Sequence, residues 1–180
     1  MSIIKNQDQR VAVFIDVSNM YYTAKHLFSS KVNFGAVLKE AVGNRKLIRA
    51  IAYAVKAQMP EEKSFFDALV KSGFEVKTKD LQIFVDGSKK ADWDVGLAMD
   101  VIKMAPGIDS VVIVSGDGDY IPLVEYLQNH GKLVEIVAFS RSASQNLINK
   151  ADDFLDLETI KAKILLKYNY NKPRNIRGRL

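Results

Sequence analysis

At 180 residues, with 48% apolar and 26% charged positions, the chain is sized for one domain with a substantial core, not two full ones. It has no cysteine, which excludes disulfides and thiolate metal centres and suits a reducing cytoplasm, and no apolar run approaches the roughly 18 residues of a membrane span. The opening MSIIKNQDQR has no signal-peptide core. The net charge of +5 is unevenly placed. Residues 167–180, KYNYNKPRNIRGRL, hold five of the 26 Lys/Arg and no acid, so the other 21 balance the 21 Asp/Glu of residues 1–166.

The continuous apolar run Val11–Ile15 predicts a strand covered on both faces, as in a parallel sheet, and it ends in Asp16. Asp16 to Asn19 turns into a helix that runs to about Phe28. Asn33–Val42 predicts a short helix stopped by Gly43. Lys46–Val55 reads as a second strand, Glu61–Lys71 as a helix ended by Gly73, and Phe74–Lys79 as a third strand. In Leu81–Lys90, LQIFV has the pattern of an edge strand and DGSKK that of a loop. Asp92 or Asp94 then starts a helix carrying Val95, Leu97, Ala98, Val101 and Ile102. Val111–Ser115 is a fourth strand, a helix begins near Tyr120 with Pro122 in its first turn, and Leu133–Phe139 is a fifth strand. Ser142–Asn149 predicts a short helix, Phe154-Leu155 a small strand and Leu157–Leu166 a last helix. Alternating units of this length predict an α/β layered domain with a mainly parallel sheet of about five strands and right-handed crossovers.

The acids gather where such a sheet builds its sites. Asp16 ends the first strand, and Gly116-Asp117-Gly118-Asp119 follows the fourth. A helix that precedes a parallel strand begins at the same edge, which brings in Asp94. Four carboxylates about 5 Å apart would repel by about 3 kcal/mol per pair at an effective dielectric near 20, so they must protonate or hold a cation. All-oxygen ligands favour Mg²⁺ or Mn²⁺. Plainer roles exist for each: Asp119 could cap its helix, Asp92 or Asp94 theirs, Asn19 could cap or orient Asp16, and Ser115 could hydrogen-bond a carboxylate or satisfy the turn. Asp100 lies six residues beyond Asp94, about 240° round the helix and ~9 Å along it, too far to join the same ligand set. Asp80 and Asp109 read as loop acids, and His26 and His130 as structural or surface residues.

Rival phosphate chemistries fail on the residues. Gly116-Asp-Gly118 begins a G-x-G-x-x-G pattern, but Ile121 takes the third glycine's place and two carboxylates would repel a pyrophosphate. The chain has no P-loop, no D-x-D after the first strand and no credible Ser-His-Asp arrangement.

FIDVSNM at 14–20, KADWDVGLAMD at 90–100, VSGDGDYIPLVEYLQNHGKLVEIVAF at 114–139 and SQNLINKADDFLDL at 144–157 together resemble the NYN domain, and more narrowly its bacterial LabA-like branch. The resemblance implies a PIN-like three-layer α/β/α fold and a Mg²⁺-binding acidic pocket acting on RNA. It implies metal and catalytic roles for Asp16, Asp94, Asp117 and Asp119, with Asn19, Ser115, Asp100 and Asp92 in support. Family members often carry Lys-Gly before the helix aspartate. This chain has Lys90-Ala91-Asp92-Trp93-Asp94, so either acid could enter the pocket. The expectation is therefore a Mg²⁺- or Mn²⁺-dependent nuclease, foremost an endoribonuclease on single-stranded RNA, with a weakly catalytic RNA-binding or regulatory module as its rival. Residues 1–166 would form the domain and 167–180 a flexible basic tail. Lys89, Lys90, Lys172, Arg174, Arg177 and Arg179 would contact substrate phosphates. RNA is the expected partner, no membrane is involved, and self-association into a homo-oligomer stays open.

Overall fold

The two runs that are apolar at every position become the centre of the sheet. The computed structural model describes residues 5–56, 62–83, 89–90 and 92–166. Strand β1 (Arg10–Asp16) passes into α1 (Val17–Phe28), a two-residue β2 (Lys31–Val32) and α2 (Phe34–Val42). Then come β3 (Lys46–Lys56), α3 (Glu62–Lys71), β4 (Glu75–Asp80) and a small hairpin of β5 (Gln82–Ile83) with β6 (Lys89–Lys90). The second half runs α4 (Asp94–Met104), β7 (Ser110–Val114), α5 (Ile121–Asn129), β8 (Leu133–Ala138), α6 (Gln145–Lys150), β9 (Asp153–Asp156), α7 (Lys161–Ile164) and β10 (Leu165–Leu166).

Six strands form one sheet in the order β4-β3-β1-β7-β8-β9, every pair parallel. Val11–Ile15 and Val111–Val114 are wholly buried, because helices cover the sheet on both faces and only apolar side chains can sit there without a partner. From β1 the chain works outward through β3 to β4, then crosses back to β7 and continues the other way. With right-handed crossovers this places α1–α3 on one face and α4–α6 on the other. It also makes the gap between the carboxyl ends of β1 and β7 the topological switch point, the crevice in which open α/β sheets bind ligands.

Three expectations change. The sheet has six strands, not about five, because Asp153–Asp156 pairs fully alongside β8. The last predicted helix shrinks to Lys161–Ile164. The Asp156 carboxylate and carbonyl take up the Glu158 N–H and the Thr159 hydroxyl in a tight turn, while Leu165–Leu166 extends to pair antiparallel with β2. Lys89–Lys90, read as loop, is the second strand of the small hairpin. The predicted tail, with Lys172, Arg174, Arg177 and Arg179, lies outside the described residues, as do 86–88 of the predicted loop. Among the described residues no helix is long and apolar enough to cross a membrane.

Candidate metal centre

At the switch point the backbone hands its polar groups to carboxylates. Asp16 is the N-cap of α1, accepting the Asn19 N–H at 3.0 Å, and the Asn19 side-chain oxygen in turn accepts the Gly116 N–H at 3.2 Å. That second bond ties the end of β1 to the loop after β7. In the loop, buried Ser115 accepts the Asp117 N–H on its Oγ at 3.2 Å. Asp117, not Asp119, is the cap there: it accepts the Asp119 N–H at 3.0 Å and starts a single 3₁₀ turn, Gly118–Tyr120, before α5. The glycines of this loop serve close approach. A Cβ on Gly116 would stand 2.9 Å from the Ala143 backbone, and the Gly116 carbonyl accepts the Ser144 N–H at 2.9 Å. The loop is clamped, where its composition alone reads as a flexible turn.

Helix α4 enters from the other side. Its N-cap position is Trp93, which makes no capping side-chain bond, so neither Asp92 nor Asp94 acts as the cap the sequence allows. Asp94 instead accepts the phenol proton of buried Tyr120 at 3.0 Å. The result is a trio: Asp94, Asp117 and Asp119 each offer a carboxylate oxygen, and the three oxygens lie within 4.8 Å of one another. A pocket of about 280 Å³ opens here, with Asp16, Asp92, Asp94 and Asp117 in its walls and no basic side chain among its described lining residues.

The electrostatics follow from that imbalance. Burial pushes the Asp16 carboxyl up to about 6, and the neighbouring charges of Asp94 and Asp117 push the same way against the stabilising Asn19 N–H. Asp94 is also raised, by burial and by Asp117, Asp92 and Asp119, with the Tyr120 hydroxyl opposing. Burial and the charges of Asp16 and Asp94 raise Tyr120 well above an ordinary phenol, so it stays a donor. Asp100 is not part of the trio. Its carboxylate accepts Tyr53 at 2.8 Å and Lys77 at 2.6 Å, and these bonds outweigh its burial and hold it below its ordinary value.

Residues 10–158 match the family model of the NYN domain. The chain belongs to the NYN domain family. It is similar to the low amplitude and bright protein LabA of Synechococcus elongatus, at 29% identity over 86% of this chain and 87% of that one. The crystal structure of VPA0982 from Vibrio parahaemolyticus, a protein of unknown function, is alike at TM-score 0.81 and 36% identity, covering 91% of this chain and all of that one. The T5 D15 protein co-crystallised with metal ions is far less alike, at TM-score 0.46 and 17% identity over 78% of this chain and 59% of that one, and carries no weight.

Two residues of this NYN domain escape a reading based on acids alone. Trp93 donates its indole N–H to the Ala54 carbonyl at 2.9 Å, meets Tyr53 edge-on at 5.3 Å, and has Lys79 over its ring at 5.2 Å. It seats the start of α4 against the end of β3 and so aims Asp94. Gly96 permits this, since a Cβ there would come within 2.7 Å of the indole ring. Tyr120 is the other, a buried hydroxyl aimed at an acid from the turn that carries Asp117. A lone tryptophan between two acids, with glycine three residues on, was the signal available for the first.

Proposed function

We propose that this NYN domain is a divalent-metal-dependent endoribonuclease that hydrolyses phosphodiester bonds of single-stranded RNA in the cytoplasm. The observation that supports this most is the convergence of the Asp94, Asp117 and Asp119 carboxylate oxygens within 4.8 Å at the switch point, where Asp94 and Asp117 also line a pocket with Asp16. The donor set fits a hard cation: it is all oxygen, without nitrogen or sulfur, which matches Mg²⁺ or Mn²⁺ and not zinc. Asp94, Asp117 and Asp119 would hold the ion; Asp16 is outside that trio and lines the pocket beside Asp94 and Asp117. When bound, it would neutralise charge on the scissile phosphate and acidify a water.

The rest is the work of the chain's own residues. Tyr120 fixes the Asp94 carboxylate by donating its hydroxyl to one oxygen. Asn19 and Ser115 hold the loop that presents Asp117 and Asp119. Tyr53, braced by Asp100 and Lys77, backs Trp93 and so sets where α4 begins. An acidic pocket repels a polyanion, so substrate capture would fall to cations outside it: Lys172, Arg174, Arg177 and Arg179 of the tail, with Lys89 and Lys90 of the hairpin.

The test is cleavage of end-labelled single-stranded RNA with Mg²⁺, Mn²⁺ or EDTA, for the wild type and Asp117→Asn. Internal cuts that need the metal and vanish in the variant are expected. Strand binding without cutting under every metal would contradict the enzyme and leave a binding module.

A further inference from the structure

Beside the acidic pocket, between α1 and α3, lies a larger cavity of about 520 Å³. Its walls are mainly apolar and aromatic, with Tyr21 and Tyr22 from α1, Phe34 from α2, and Phe65 and Phe66 from α3. The two cavities share Ser18, Tyr22 and Val55, so they form one cleft with an acidic end and an aromatic end. This size, and this mix of apolar wall with a few polar groups, is typical of ligand sites. Phe34 and Phe65 meet edge-on at 5.8 Å and Phe65 leans on Phe66 at the same distance, which fixes the back of the cleft. Tyr22 stands at the junction, 66% exposed yet held edge-on against Tyr21 at 5.4 Å. An exposed aromatic ring packed edge-on beside the acidic pocket offers a face on which a planar base can stack.

We propose that the aromatic end of this cleft binds a nucleobase of a single-stranded polynucleotide, from a nucleotide whose phosphate reaches the acidic end. The proposal deepens the nuclease reading and rests on it for the placing of the phosphate. Two observations choose this occupant over other apolar ones. The first is the continuity of the cleft: a base is joined to its phosphate through one sugar, and here an aromatic wall adjoins a site suited to phosphate chemistry. The second is where the basic sequence is attached. Leu166 lines the cleft, and the stretch that carries the whole net charge begins at the next residue. The polar groups at the rim suit a base edge. The Asn33 side-chain oxygen is committed to the Ala36 N–H at 3.1 Å, which leaves its amide nitrogen as donor. Ser18 supplies a hydroxyl between the two ends. Stacking reads a π-face and not base identity, so the site selects unpaired strands over duplex with little sequence preference.

The experiment needs neither cleavage nor metal. Full-length protein in EDTA is titrated into two labelled single-stranded oligoribonucleotides of equal length and charge, one ordinary and one abasic throughout, by fluorescence anisotropy. Phosphate repulsion is the same for both, so their ratio isolates the bases. The ordinary strand should bind about tenfold tighter. Tyr22→Ala should reduce it to the abasic level without changing abasic affinity or melting temperature, and Tyr22→Phe should restore the difference. Equal binding of the two strands by the wild type overturns the proposal. So does a base preference that survives Tyr22→Ala; if deleting residues 167–180 abolishes it, the contacts belong to Tyr168 and Tyr170. Base-dependent binding by a protein that never cleaves RNA would remove the nuclease reading and leave the base site standing.

Discussion

The two edges of the sheet treat their acids in opposite ways. At the amino edge Asp8, Asp109, Glu135 and Asp153 each have a cation. Buried Glu135 accepts from both terminal nitrogens of Arg45, from Lys5 at 2.7 Å and from the Ser110 hydroxyl at 2.6 Å, and Arg10 clasps Asp109 with its backbone and guanidinium. Burial would raise the Glu135 carboxyl, but those partners hold it below its ordinary value, and Arg10 brings Asp109 down to about 2. At the carboxyl edge the pocket gathers acids without a described base, and Asp16 goes up to about 6. The same fold therefore pairs one set of acids with cations and sets Asp16, Asp94, Asp117 and Asp119 close to one another. Acids at the first edge hold the protein together, and acids at the second are kept at a cost in stability, which fits the metal site proposed for them.

Removing one acid from each edge should give opposite results. Glu135→Ala strands the buried Arg45 guanidinium and should lower unfolding free energy by about 3–5 kcal/mol in urea denaturation followed by the single tryptophan. RNA cleavage below the melting transition should be unchanged. Asp117→Asn should do the reverse, cutting cleavage by on the order of 100-fold, the usual size for removing one electrostatic contact to the reacting centre, at no loss of stability. Between these extremes, Gly96→Ala drives a methyl group into the Trp93 ring. It should destabilise by about 1–3 kcal/mol, shift tryptophan emission and weaken Mn²⁺ binding through Asp94.

The smallest effect sharpens the comparison through pH. Folded Asp16 binds its proton more tightly than its unfolded value of 3.8, so the native state holds more protons between about pH 4 and 6. Metal-free stability should therefore fall as pH rises through that window and stay low above it. Asp16→Asn keeps the cap on Asn19 and removes the charge, so it should exceed wild type by about 1–2 kcal/mol at pH 7.5 and match it near pH 4. Urea denaturation across that range checks the sign, and a variant less stable at pH 7.5 would contradict it.

Hydrophobic pattern made the sheet legible, because Val11–Ile15 and Val111–Val114 are apolar throughout and only doubly covered strands need that. It also led to the switch-point acids, since Asp16 follows the first run directly and Asp117 stands three residues beyond the second. Where it failed, the deciding partner was remote in sequence. Leu157–Leu166 has helical spacing, yet Leu165 pairs with Val32 across the chain, and Asp153–Asp156 becomes a full strand because β8 offers it an edge. Position favours Asp94 over Asp92 as the ligand but leaves either able to enter the pocket. Trp93, locked to Ala54 and Tyr53, turns Asp94 toward Asp117 and Asp119, and no local pattern encodes that contact.

The most direct measurement is the thermal stability of wild type and Asp117→Asn, each with EDTA and with saturating Mn²⁺. A cation that binds only the folded site stabilises it by about 2.7 kcal/mol at a hundred times its Kd. Asp117→Asn should melt at or above wild type in EDTA, and Mn²⁺ should raise the wild type well past the variant. A wild type indifferent to Mn²⁺, or a variant that melts lower in EDTA yet gains as much from the ion, would contradict it.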